Sequence, residues 1–131
     1  GIYRDGNWWL RQDVGQETLD SQRSVWYGGT GWMPVPGDWD KDGLDSPGIY
    51  QDGNWWLRSG NNQSFTEQYV WYGGAGWTPV AGDWDWDGKD SPGIFQAGNW
   101  WLRSDLGEAD PEQYAWYGGT GWTPVAGRWK Q

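Results

Sequence analysis

Three near-copies of one unit of about 45 residues fill this chain. A period of that length signals a propeller blade or another repeated β unit before any local pattern is considered. Gly1-Ile2-Tyr3 recurs at Gly48-Ile49-Tyr50 and Gly93-Ile94-Phe95. Asn7-Trp8-Trp9-Leu10-Arg11 recurs at Asn54 to Arg58 and at Asn99 to Arg103. Trp26-Tyr27-Gly28-Gly29 recurs at Trp71 to Gly74 and Trp116 to Gly119, followed by Trp32, Trp77 and Trp122 and then by Trp39, Trp84 and Trp129. All but one of the 16 tryptophans thus belong to the repeat, and Trp86 stands outside it. The units run over about 1–47, 48–92 and 93–131, and together they make a single repeat domain.

The composition says what such units are held together by. Aromatic residues are 19% of the chain and all hydrophobic types only 36%, so the core is built from rings rather than aliphatics. The 23 glycines fit repeated tight turns, and the regular spacing of the aromatics argues against disorder.

The middle unit is representative. Thr78 to Trp84 reads as a short strand, 85–92 as a turn, and Gly93 to Gln96 as a second strand. Ala97-Gly98 occupies the place of Asp5-Gly6 and Asp52-Gly53, pairs that favour positive-φ hairpin turns. Asn99 to Arg103 and Gln113 to Tyr117 are the third and fourth strands, separated by a polar segment that varies between copies and is expected at the outer surface. Four short strands, frequent turn residues and no helical period predict an all-β fold.

The net charge of −9 is concentrated in two loops, Asp38 to Asp45 and Asp83 to Asp90. Such acidity argues against nucleic acid as a partner, because phosphate contacts need a basic face. No apolar run is long enough to span a membrane, and the absence of cysteine leaves the redox compartment unread. The start at Gly1 is read as that of a mature product or an excised piece. Asp38, Asp40 and Asp42 before Gly43, and Asp83, Asp85 and Asp87 before Gly88, have the alternating carboxylates of a calcium loop. The alternative is a plain Asp-rich turn that binds nothing. An EF-hand is excluded, since the terminal Glu and the flanking helices are missing.

The string Pro79-Val80-Ala81-Gly82-Asp83-Trp84-Asp85-Trp86-Asp87-Gly88-Lys89-Asp90-Ser91-Pro92-Gly93-Ile94-Phe95 resembles the FG-GAP/VCBS-like repeats of bacterial extracellular proteins, which are blades of β-propellers related to the integrin head. The resemblance extends over the whole chain, one unit at a time. It implies a secreted protein in which each Asp loop joins the innermost strand of a blade to the second and holds structural calcium. Two departures stand out. The ninth loop position, often Asp in the family, is Ser46 or Ser91, and in the third copy Arg128 and Lys130 replace the first two aspartates.

By the family's strand order the chain opens with the second strand of a blade, Gly1 to Arg4, and closes with an innermost strand, Gly121 to Trp129. Propellers have four to eight blades as a rule. The expectation is therefore a strand-exchanged homodimer forming a six-bladed propeller, or a head-to-tail polymer if the contacts do not close. The rival is a β-trefoil monomer, which has the same threefold count but an aliphatic core.

Most tryptophans are expected to pack one unit on the next. The remainder suit carbohydrate, whose C–H faces stack on rings. Trp32, Trp77 and Trp122 beside Tyr27, Tyr72 and Tyr117 are the candidates, with Arg11, Arg58 and Arg103 as hydrogen-bond donors. With neither His nor Cys to serve as base or thiol nucleophile, and with every feature repeated, the chain reads as a binding protein and not an enzyme. The expected function is multivalent glycan binding outside the cell. The alternative is an assembly module with no small ligand.

Overall fold

The computed structural model describes residues 1–11, 22–60, 64–107 and 112–128. The variable segments between the third and fourth strands lie largely outside the described residues, as does Trp129. The described chain is all-β and is divided into three small antiparallel sheets. The first holds β1 (Ile2–Arg4), β2 (Asn7–Arg11) and β3 (Gln22–Trp26). The second holds β4 (Met33–Gly37), β5 (Ser46–Gln51), β6 (Asn54–Ser59) and β7 (Thr66–Trp71). The third holds β8 (Thr78–Gly82), β9 (Ser91–Gln96), β10 (Asn99–Arg103) and β11 (Glu112–Trp116). In each sheet the strands lie side by side in chain order. Among the described residues no helix is long and apolar enough to cross a membrane.

The repeated hairpin has a local cause. Asp5, Asp52 and Ala97 have φ of 48°, 49° and 50°, and the glycine after each lies near 90°. Two consecutive positive φ angles give the turn whose twist matches antiparallel strands, and Asp-Gly is well suited to it. The turn sets the register Tyr3↔Trp8, Tyr50↔Trp55 and Phe95↔Trp100. Each ring pair then meets at a centroid distance of 5.0–5.1 Å. The indole N–H of Trp8, Trp55 and Trp100 donates to the carbonyl of Tyr27, Tyr72 and Tyr117 in the same way. The first tryptophan of each Trp-Trp pair therefore fixes the start of the Gly-Gly turn.

The core lies between sheets. Trp55, Tyr50, Leu57, Val70 and Tyr72 of the second sheet pack with Ile94 and Leu106 of the third. Trp8 and Tyr27 pack with Ile49 in the same way between the first and second. These contacts need glycine. A Cβ on Gly28 would lie 3.1 Å from Ile49 Cγ2, and one on Gly73 would lie 2.9 Å from Ile94 Cγ2. The isoleucine of one sheet thus seats on the bare backbone of the Gly-Gly turn before it. Tyr3 and Tyr50 add a hydroxyl bond to the carbonyls of Gly29 and Gly74, at 3.1 and 2.7 Å. Phe95 cannot make this bond.

One expected strand does not form. Residues 121–128 repeat the sequence of β4 and β8, yet the described part carries no strand. The cause is pairing. β4 and β8 each bond to the following strand, β5 and β9, and no described strand follows residue 128. Fewer tryptophans are buried than expected: Trp8, Trp39 and Trp55 are buried, whereas Trp26, Trp56, Trp71, Trp86, Trp116 and Trp122 are exposed.

Candidate functional site: clefts between neighbouring sheets

The Gly-Gly turn brings its tyrosine and the tryptophan that follows to the boundary with the next sheet. Tyr27 and Tyr72 are buried there, and Trp32 and Trp77 are half-buried against the inter-sheet cores. The next sheet supplies the opposite wall. In the second cleft, Trp77 and Tyr72 face Ile94, Trp101 and Glu112 across a cavity of 250 Å³. Trp101 is held by Tyr114 beside it, with centroids 4.6 Å apart.

Behind each tyrosine lies a buried arginine from the following copy. Arg58 sits 5.1 Å from the Tyr27 ring and 3.5 Å from the Phe65 ring. Arg103 sits 4.8 Å from the Tyr72 ring. A guanidinium over an aromatic face is attracted by the ring's negative π cloud. Burial holds the Arg58 pKa below its ordinary value, partly offset by Tyr27 and Glu67.

The two clefts differ in their polar chemistry. In the first, the Tyr27 hydroxyl donates to Glu67 Oε1 at 2.7 Å. Burial raises the Tyr27 pKa far above that of a free tyrosine, and Glu67 raises it further. In the second, Glu112 lies beside Tyr72, and its charge adds to burial in raising that pKa. The Tyr72 hydroxyl is buried and makes no hydrogen bond of full geometry, although the Glu112 side chain stands close enough to act on it as an acceptor. Arg103 Nε and Nη1 are also buried and unpartnered. The second cleft therefore combines two indoles and a carboxylate with the Tyr72 phenol in its wall, and the Arg103 guanidinium lies buried against that ring. Buried polar groups of this kind ordinarily find a hydrogen-bond partner.

Sequence reasoning picked out Tyr72, Trp77 and Arg103, and the structure brings them together. It missed Trp101 and Glu112, and likewise Glu67 beside Tyr27, because these come from the next copy, roughly 25–40 residues along the chain. The third set does not assemble: Tyr117 and Trp122 are exposed, and Arg11 lies exposed at the far end of the first sheet.

The acidic loops lie elsewhere. Carboxylate oxygens of Asp38, Asp40 and Asp42 come within 4.8 Å of one another, as do those of Asp83, Asp85 and Asp87. Asp38 accepts from the N–H groups of Asp42 and Gly43, and Asp83 Oδ2 from that of Gly88. Asp83 Oδ1 is buried with no hydrogen-bond partner. The donor set is all oxygen and one oxygen is orphaned, which fits a hard cation such as calcium. The loops also touch: the Asp38 N–H donates to Asp90 Oδ2 at 2.9 Å and the Asp90 N–H to the Asp38 carbonyl at 2.8 Å. Arg128, which stands where the other copies have the first aspartate, binds Asp83 Oδ2 at 3.2 Å and lies over Trp86.

No family model, curated protein or solved structure matches this chain.

Proposed function

We propose that the protein is a carbohydrate-binding module whose sites are the clefts between neighbouring sheets, in a propeller-like arrangement of four-stranded blades. The observation that carries this reading is the second cleft, where Trp77 and Trp101 flank a cavity of 250 Å³ whose polar wall is Tyr72 and Glu112, with the Arg103 guanidinium buried against the Tyr72 ring. Indole faces suit the C–H faces of a pyranose. A carboxylate accepts from sugar hydroxyls, and a phenol donates to their oxygens. Two or more such sites in one particle convert weak single contacts into avidity. The resemblance to FG-GAP/VCBS-like repeats supports the blade reading and a place outside the cell. The chain-order pairing within each sheet supports it too.

In the same reading the Asp loops hold structural calcium. Asp38, Asp40 and Asp42 supply one ligand set, and Asp83, Asp85 and Asp87 the other. Bound calcium would cancel repulsion among these carboxylates and tie the inner turns of the second and third sheets together. An ion that binds the native state alone must raise its stability. Millimolar calcium should therefore raise Tm, and EDTA should reverse the rise. An unchanged Tm would remove calcium from the account.

A glycan array, followed by calorimetry on the best ligand, tests the main reading. Trp77→Ala and Glu112→Gln should each weaken binding at least tenfold while leaving the circular dichroism intact. Retention of no glycan by the folded protein would overturn it.

A further inference from the structure

The exposed rings of the outer strands are ordered into two matching rows. Residues two apart on a strand share a face, so β11 puts Glu112, Tyr114 and Trp116 on one side of the third sheet. Opposite them β10 sets Arg103, Trp101 and Asn99. The second sheet repeats the pattern, with Glu67, Tyr69 and Trp71 of β7 opposite Arg58, Trp56 and Asn54 of β6. The geometry repeats as well. Trp56 and Tyr69 lie 4.9 Å apart at 50°, and Trp101 and Tyr114 lie 4.6 Å apart at 47°. Each tyrosine hydroxyl donates to its asparagine Oδ1 at 2.9 Å. Each asparagine Nδ2 donates to the carbonyl of Gln51 or Gln96 at 3.0 Å. A solvent-exposed ring is thus held in place by an amide anchored to the hairpin. The tryptophan beside it is 60% exposed at Trp71 and 68% at Trp116.

This exposure does not come from a missing neighbour. Ile49 and Ile94 pair with Trp56 and Trp101 and share their faces. Ile49 meets Gly28 of the copy before it, and Ile94 meets Gly73. Each row of rings therefore looks toward a sheet that is present, and is left open beside it. Trp101 belongs both to its row and to the cavity of the second cleft. Tyr114 and Trp116 extend that cleft across the outermost strand.

We propose that the ligand is a chain of neutral sugars, with one unit in the cleft between Trp77 and Trp101 and the following units on Tyr114 and Trp116. Tyr69 and Trp71 carry the same extension on the second sheet. The proposal rests on the carbohydrate reading and specifies its substrate class. A polysaccharide presents a C–H face at every unit, which suits rings in series. The asparagine amide keeps a second N–H for a sugar hydroxyl. Neutrality follows from charge. The one cation of each row, Arg58 or Arg103, is buried against a neighbouring ring, which leaves the glutamate as the row's surface charge. A carboxylate or sulfate on the glycan would find no counterion there, on a chain of net charge −9. Area argues against a protein partner. Three half-exposed rings offer about 300 Å², well short of the roughly 800 Å² per side of a stable protein interface. The first sheet lacks the device, because Ser24 stands opposite Trp9 where the other copies have tyrosine.

Calorimetry with the cello-, xylo-, manno- and chito-oligosaccharide series, from monosaccharide to hexasaccharide, tests the proposal. In the series that binds, affinity should rise about tenfold with each further ring engaged. Tyr69→Ser with Tyr114→Ser, the residue of the first sheet, should remove the gain with length and leave monosaccharide binding unchanged. Trp71→Ala with Trp116→Ala should do the same, and Trp26→Ala should change nothing. Circular dichroism checks that each variant is folded. Affinity that is flat with chain length, long-chain binding indifferent to both double variants, or tighter binding of polygalacturonate than of any neutral chain would overturn it. Flat affinity with a bound monosaccharide sinks the chain reading alone. Binding of no glycan, there or on the array, sinks the carbohydrate reading with it.

Discussion

Tyr72 and Tyr117 occupy the same position of the same unit, between the same residues Trp and Gly, and yet Tyr72 is 7% exposed and Tyr117 79%. Local sequence does not separate them. What does is the sheet that follows Tyr72, which supplies Ile94, Trp101 and Glu112 as the far wall. Burial in this molecule is a property of the junction between copies, as expected for repeats that cannot bury their own faces. The function proposed here is a property of the same junction.

The sharpest way to break that comparison is to empty a junction. Trp55 is 0% exposed, in the sheet with neighbours on both sides, while its counterpart Trp100 is half-buried. Trp55→Ala should cost about 3–5 kcal/mol and Trp100→Ala clearly less, as read by urea unfolding. Equal costs would mean that the third sheet is as fully packed as the second.

A smaller effect should separate the two clefts. Tyr27→Phe removes a hydroxyl bonded to Glu67 and should cost about 1.5 kcal/mol, the low end for a bond to a charged group because Glu67 is exposed. Tyr72→Phe removes a buried hydroxyl that makes no hydrogen bond of full geometry to Glu112, and should cost clearly less than Tyr27→Phe. Chemical denaturation of the two variants gives the difference, and the reverse order would contradict the open character of the second cleft.

The same tyrosines predict an alkaline limit. Burial raises their folded pKa above the ordinary 10.0, so the native state keeps protons that the unfolded chain loses. Their contribution is complete below pH 10 and is lost as pH rises through the folded values. Absorbance at 295 nm should show Tyr27 and Tyr72 ionising only with unfolding, and Tyr72→Phe should flatten the loss of stability above pH 10. The smallest effect belongs to the hairpins. Ala97 has φ 50° where the other copies have Asp, so Ala97→Asp should stabilise by about 1 kcal/mol or less, seen as a small rise in Tm.

The elements that local chemistry decides were legible in the sequence. The Asp-Gly and Ala-Gly pairs marked the hairpins, the Trp-Trp runs the strands, and the alternating aspartates the inner turns. Asn99–Arg103 falls on β10 as read. The segment 121–128 was expected as a strand and is none among the described residues, because a strand needs a pairing edge as well as a sequence. The clefts were half legible. Tyr72, Trp77 and Arg103 stand out as repeated positions, but Trp101 and Glu112 reach them only after the chain has crossed into the next sheet. The exposed Trp26, Trp71 and Trp116 were equally opaque, since each lies in the outermost strand of its sheet with no further strand beside it.

The account stands on the claim that burial belongs to the junction between neighbouring copies. Nitration of the folded chain, read by peptide mass spectrometry, addresses it directly. Tyr117, 79% exposed, should be modified, and Tyr72, 7% exposed, should be spared until the chain unfolds. Equal modification of the two in the folded chain would contradict it.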